Sequence, residues 1–540
     1  MRPGQGLPQL TRSVGVRLLL VVLGGTAGVV VARALQPEGR GAYAIVVAVA
    51  TATMAVGHLS LEQAYVGLWP AREAAVTAGS VVLAPVLGTA AALGAAGLAA
   101  AGVFGAAATA APAVLACGLL AVPAMMTVLH LNTVLMLTGQ VRVVDRALLT
   151  SGVLQCAALV GVALTGWISV GWVVGIWAVS SAVPLLLQLR AVRPRLPLFD
   201  GALARRALGL GVRYHAGSTA LYLTYRLDVL ALAAMTSARA VGLYTVAVTL
   251  AELTRIPTDA LARACLAGQA VADLRSAAAA TVRATRVSVA LGLAAAGGLA
   301  LAAPLLVPLG YGAAFRPALP AVYALAPGLL ALGVTRQLGA YLIRLERPVV
   351  MSATSVAALA VNVGLILVLV PRWGIVGCGL AASISYGCLA VVHLVWFCRA
   401  SGTPAARLLP DPVSALAAAR AAAASLRRRN DAAAGADPLE DVLVAAQATA
   451  ARGEMPKLEA AAGEEPEDLL RLGHLERVAA DPVDEVVPAG HAAGAGSRPR
   501  GRGTAVPGAE PDGPDQRLQW TVPGEVDGAE TDECRAQRRP

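Results

Sequence analysis

Between residues 14 and 398 the chain alternates twelve long apolar stretches with short polar segments. About 20 consecutive apolar residues carry a helix across a bilayer core, where each backbone N–H and C=O must be satisfied within the segment. The pattern predicts spans over about 14–34, 42–66, 80–103, 113–137, 148–166, 170–189, 209–234, 241–262, 287–309, 320–342, 349–370 and 375–398. No soluble core needs so many, so the fold class expected is an all-α polytopic membrane protein. The first stretch has basic flanks and a small-residue end at Val31-Ala32-Arg33-Ala34. Its apolar core is longer than that of a usual cleaved leader, and it reads as a span.

The polar segments carry a charge bias. With the N-terminus inside, the inner segments hold 17 arginines, among them Arg72, Arg142, Arg190, Arg205 and Arg344, against five outside, Arg33, Arg40, Arg239, Arg316 and Arg372. The positive-inside effect then predicts both termini in the cytoplasm. It also accounts for the basic balance of residues 1–400, 27 basic against 10 acidic side chains, without nucleic acid as a partner. Residues 401–540 reverse the sign, 16 against 23, and are rich in Ala, Pro, Gly and charge. Such composition buries too little apolar surface to fold alone, so 400–540 is expected to be a largely disordered cytoplasmic tail. The seven cysteines form no CxxC pair and read as small apolar filler.

The membrane part looks duplicated. Gly41-Ala42-Tyr43-Ala44-Ile45-Val46-Val47 is echoed by Gly242-Leu243-Tyr244-Thr245-Val246-Ala247-Val248, an offset of 201. Gly171, Val173, Ala178 and Ser180 are echoed by Gly374, Val376, Ala381 and Ser383, an offset of 203. Two echoes six spans apart predict two six-helix lobes related by an axis along the membrane normal, a parallel pseudo-repeat. The expected organisation is an N-terminal lobe over 1–189, a basic inter-lobe loop over 190–208, a C-terminal lobe over 209–399 and the tail over 400–540.

The sequence holds no GxxxxGK[ST] loop, GxSxG elbow or HExxH pair, and its six histidines are dispersed. We expect no enzyme activity, no cofactor and no metal. The chemistry lies in ionisable groups at membrane depth, which are costly there and mark functional sites. Arg226 and Asp228 fall inside the seventh span, Glu252 and Arg255 inside the eighth, and Arg336 interrupts the tenth. Folding the seventh and eighth spans back near residue 237 puts Arg226 within about one turn of Glu252. Asp228 is left for a second partner, and Asp228 and Glu252 are pairing or ion-coupling candidates. Arg336 has no acid nearby in sequence. Two readings follow: paired charges that fix helix packing, or arginines lining a cavity for an anionic headgroup, whose phosphate oxygens suit the guanidinium fork. Tyr222 and Tyr225 share the seventh helix with Arg226 and are candidates to line the same cavity.

These residues also carry a family resemblance. Ala32-Arg33-Ala34-Leu35-Gln36-Pro37-Glu38-Gly39-Arg40-Gly41-Ala42-Tyr43 resembles the entry motif of bacterial polysaccharide flippases. Tyr225-Arg226-Leu227-Asp228-Val229-Leu230 with Val241-Gly242-Leu243-Tyr244 resembles their central segment, Leu309-Gly310-Tyr311-Gly312-Ala313-Ala314-Phe315 their short outer loop, and Pro371-Arg372-Trp373-Gly374-Ile375-Val376-Gly377 their late turn. The resemblance implies the multidrug/oligosaccharidyl-lipid/polysaccharide exporter superfamily, with alternating access about a central cavity in the bacterial plasma membrane. It implies as cargo an oligosaccharide on undecaprenyl pyrophosphate, moved from inner to outer leaflet for surface polysaccharide biosynthesis. Membrane lipids, and a glycan polymerase or glycosyltransferases, are the other implied partners. A cation-coupled drug exporter of the same superfamily and a non-transporting scaffold for glycan assembly are the alternatives.

Overall fold

A computed structural model describes residues 6–105, 111–271, 273–345 and 347–409. Most of the expected tail, 410–540, lies outside the described residues. The helices are α1 (Gly6–Gly57), α2 (Leu61–Ala100), α3 (Pro112–Leu120), α4 (Val122–Leu137), α5 (Val141–Leu164), α6 (Val170–Val192), α7 (Gly201–Met235), α8 (Ala238–Leu253), α9 (Arg255–Val271), α10 (Leu274–Leu306), α11 (Leu319–Ile343) and α12 (Pro348–Ser401). Among the described residues eight segments are long and apolar enough to cross a membrane. Two of them, α1 and α12, are hairpins of two passes each, and the charged α7 and α8–α9 add two more. That makes twelve passes.

Local sequence sets where the helices break. Gln36 precedes Pro37, which disfavours the helical region for it, and Gln36 adopts φ 57°. The chain reverses there, so that Arg40 Nη1 donates to the Gly28 carbonyl at 2.8 Å. Gly374 takes φ 52°, a conformation open to glycine without a Cβ penalty. The two arms of α12 then pack together, and Ser385 Oγ donates to the Ala358 carbonyl at 2.8 Å. Leu59 and Ser60, both left-handed, interrupt the second pass. Pro257 cannot donate to the Leu253 carbonyl, and the eighth pass breaks at Thr254 between α8 and α9. The eighth span expected over 241–262 is therefore two helices set end to end. Asp200 accepts from the Ala202 and Leu203 N–H groups, so α7 starts at Gly201, eight residues before the expected span.

Large apolar side chains point outward, as a lipid solvent requires: Leu120, Leu164, Leu301 and Val349 are each more than three-quarters exposed. The interior is dominated by Ala, Val and Leu, and its many alanines let helices approach closely. The two lobes meet along a seam between α1–α2 and α7–α8. At one end the sequence echo becomes a spatial symmetry. A methyl group added at Gly41 would strike the Ala238 carbonyl, and one added at Gly242 would strike the Pro37 carbonyl. These contacts exchange under the 201-residue offset, the mark of two parallel copies facing each other across an axis between them.

Candidate functional site

Three arginines and two carboxylates form one ion-pair ladder in the second lobe. Arg226 Nη2 lies 3.8 Å from Glu252 Oε1, and Arg255 Nη1 lies 3.9 Å from the same oxygen. Arg255 Nη2 lies 3.7 Å from Asp259 Oδ2, and Arg336 Nε lies 3.2 Å from Asp259 Oδ1. The elements set this order. The turn at Thr236–Ser237 brings α8 back along α7, with Ser237 Oγ capping α8 through the Ala240 N–H. The break at Thr254 starts α9 with Arg255, and one helical turn later comes Asp259. Gln337 Nε2 donates to the Thr258 carbonyl at 3.3 Å and fastens α11 beside Arg336.

Helical register aims Arg226 at the seam. On α7, Thr219 donates to the Ala55 carbonyl of α1, and a methyl at Gly211 would strike the Leu59 carbonyl. Arg226 lies seven residues beyond Thr219, on the same helical stripe, and half-buried Tyr222 lies between them. Arg226 remains 46% exposed, whereas Arg255 is 18% exposed. Three of the four ladder contacts are too long for hydrogen bonds, so the guanidinium donors are not consumed by the acids. With all five groups ionised the ladder holds one excess positive charge.

Arg336, which has no acid nearby in sequence, meets one in space: Asp259 pairs it across α9 and α11. Sequence reading passed over Asp259, although its i,i+4 spacing from Arg255 marks a helical ion pair. Asp228 does not join the ladder. It sits two residues from Arg226, on the other side of α7, and is buried. It accepts from Tyr244 Oη at 2.6 Å and from the Val229 N–H at 2.8 Å, tying α7 to α8. Tyr225 lies on α7, but its side chain is outside the described part.

The seam is closed at both ends. At the Gly41 end, Arg239 pairs with Glu38 at 3.6 Å. Arg33 Nε donates to the Gly310 carbonyl at 2.8 Å, and Arg33 Nη2 to the Leu309 carbonyl. At the Ser60 end, Ser60 Oγ meets Ser218 Oγ at 2.7 Å and His215 Nδ1 at 3.3 Å. His58 stacks edge-on to His215 at 5.3 Å and bonds Glu62 at 3.1 Å. His58 and His215, dispersed in sequence, are thus brought together across the lobes. Beside this end, Arg72 meets Asp200 at 2.6 Å. The Leu203 and Ala202 N–H groups, and then Arg72, hold the Asp200 carboxyl below its ordinary range.

No family model matches the sequence, and no curated protein is similar to it. Solved structures are similar in fold. The lipid II flippase MurJ, in an inward closed conformation, matches with a TM-score of 0.60 at 12% identity, over 74% of this chain and 89% of that one. A multidrug resistance MATE transporter of the MOP superfamily, facing inward, matches with 0.58 at 17% identity, over 72% and 98%. The outward-facing conformation of a MATE transporter matches with 0.53 at 16% identity, over 73% and 94%. At such identities the likeness is one of fold. The chain has the two-lobed transporter fold that the sequence motifs resemble.

Proposed function

We propose that this transporter-fold protein is a flippase that carries an oligosaccharide linked to undecaprenyl pyrophosphate from the inner to the outer leaflet of a bacterial plasma membrane. The supporting observation is the ladder of Arg226, Glu252, Arg255, Asp259 and Arg336, which carries more cation than acid and whose Arg226 end faces the seam. A pyrophosphate entering there exchanges one anion for another: its oxygens replace Glu252 and Asp259 as partners of the guanidinium forks. The acids keep the arginines neutralised while the site is empty, which lowers the cost of holding cations at membrane depth. The polyprenyl chain stays in lipid beside the seam. In this orientation the Gly41 end faces outward and the Ser60 end faces the cytoplasm. Alternating access breaks the Ser60–Ser218 end to load and the Glu38–Arg239 end to release.

A second reading, a cation-coupled multidrug exporter, is favoured by one feature: Glu252 is more than one-third exposed and presents a carboxylate beside the seam. The test is made in a strain lacking the gene, by quantifying lipid-linked oligosaccharide on each membrane face together with surface glycan. Intermediate trapped on the inner face, with surface glycan lost and both restored by the intact gene, is the expected result. Unchanged intermediates with altered drug sensitivity favour the exporter, and no change in either brings the scaffold forward.

A further inference from the structure

The turn between α1 and α2 is held by a histidine that has two claims on one atom. Leu59 and Ser60 adopt left-handed conformations, φ 48° and 51°, which are costly for residues with a side chain. The Ser60 N–H donates to His58 Nδ1 at 2.9 Å. Ser60 is buried, so while this end is closed its N–H has no water to turn to. The same Nδ1 lies 3.1 Å from Glu62 Oε2. An imidazole nitrogen offers either a lone pair or an N–H. As acceptor from Ser60, Nδ1 meets the carboxylate lone pair against lone pair. As N–H donor to Glu62, it leaves the Ser60 N–H without an acceptor. The two bonds are alternatives, and a proton on Nδ1 selects between them.

Ser60 also carries the bond between the lobes, through Oγ to Ser218 Oγ at 2.7 Å and His215 Nδ1 at 3.3 Å. Among the described residues, Glu62 and Tyr65 of α2, His130 of α4 and His215 of α7 are the titratable groups that face His58 or its partner Glu62. Glu62 is the acid of the group, and the buried polar atoms of Tyr65 and His130 have no hydrogen-bond partner. We infer that His58 and Glu62 form a proton-binding site that latches this end of the seam. Empty, it holds the Ser60 turn closed across the lobes. In the acceptor tautomer Nε2 already carries its hydrogen, so the proton for Nδ1 comes from water and makes the ring an imidazolium. Nδ1–H then bonds Glu62, the Ser60 N–H is released to seek water, and the lobes part. The imidazolium stands 5.3 Å from His215, whose own protonation adds repulsion across the same contact. A proton is taken up as the end opens, so closure is held at high pH and weakens as pH falls through the histidine range. In the proposed orientation that proton comes from the cytoplasm. The site stands on the two-lobed fold and does not rest on the cargo proposed for the ladder.

The test is amide hydrogen exchange of the full chain in nanodiscs of phosphatidylcholine, from about pH 8 to about pH 5.5, corrected for the intrinsic pH dependence of exchange. Peptides over 56–64 and 211–220 are expected to exchange about tenfold faster at the lower pH, and peptides over 36–42 and 237–243, at the other end of the seam, are expected not to speed up. His58→Asn keeps an acceptor for the Ser60 N–H and cannot take the proton, and it is expected to hold the end closed at every pH. Glu62→Gln removes the charge that receives Nδ1–H and is expected to cut the pH response about threefold or more. His215→Asn is expected to keep a pH response. Should His58→Asn fail to fold, Glu62→Gln decides. A wild type without the response, equal acceleration at both ends of the seam, a full response in folded His58→Asn or Glu62→Gln, or a response lost only in His215→Asn, overturns the site. The readout needs no cargo, so the leaflet assay decides the transport reading separately.

Discussion

At the scale of single residues, stability and transport separate in the ladder. Arg336 is 37% exposed, and its pair with Asp259 is partly screened. Arg336→Gln is expected to cost less than about 1 kcal/mol of stability. Under the proposed function it lowers leaflet-to-leaflet transport about tenfold or more, measured in reconstituted vesicles with a labelled lipid-linked glycan. A large fall in melting temperature with normal transport by the folded fraction would instead mark a packing pair. Asp228 and Tyr244 behave in the opposite way. Their contact is buried and short, so Tyr244→Phe leaves the carboxylate without its hydroxyl donor and is expected to destabilise by about 1–3 kcal/mol. In sequence Asp228 was left for a second partner. Register sets that partner apart from the ladder: two residues along a helix turn a side chain to the other flank.

At the scale of elements, the glycine crossing of the lobes carries a prediction. Gly41 and Gly242 face the backbone of Ala238 and Pro37. Gly41→Leu or Gly242→Leu inserts a branched side chain where two helices touch and is expected to cost about 1–3 kcal/mol, or to spread the seam at that end. Cysteine crosslinking between Glu38→Cys and Arg239→Cys reads this directly, falling in the glycine variants and not in the wild type. The cap of α7 predicts a pH dependence. The Asp200 carboxyl is held below its ordinary range by the α7 N–H groups and Arg72. Its contribution is present above the unfolded carboxylate pKa of about 4 and is lost as pH falls through its lower folded value. Melting temperature followed from about pH 5 to about pH 2 is expected to fall less steeply in Asp200→Asn than in the wild type. Helix existence was legible along the chain because lipid imposes length and apolarity. Helix ends were less so. The early start of α7 and the break at Thr254 come from a capping aspartate and a proline, signals that a hydropathy window averages away.

At the scale of the whole molecule, the end of the described chain guides truncation. Leu408 is buried, and the Arg407 carbonyl accepts from Arg286 of α10 at 2.5 Å. A chain ending after Leu409 is expected to keep transport within about twofold of the full chain, whereas one ending at residue 400 loses a contact to α10 and melts earlier. Complete loss of transport on removing 410–540 would show that the tail works in translocation. By itself the sequence determined the solvent, the number of passes and the repeat, because hydrocarbon allows one backbone solution and a duplication leaves echoes at one offset. It also placed five charged residues at membrane depth. Tertiary structure alone decided the partners across elements: Asp259 with Arg336, Asp228 with Tyr244, and His58 with His215. Those partnerships join residues 16 to 157 positions apart, and they depend on helix rotation and lobe contact, which hydropathy along a chain does not encode.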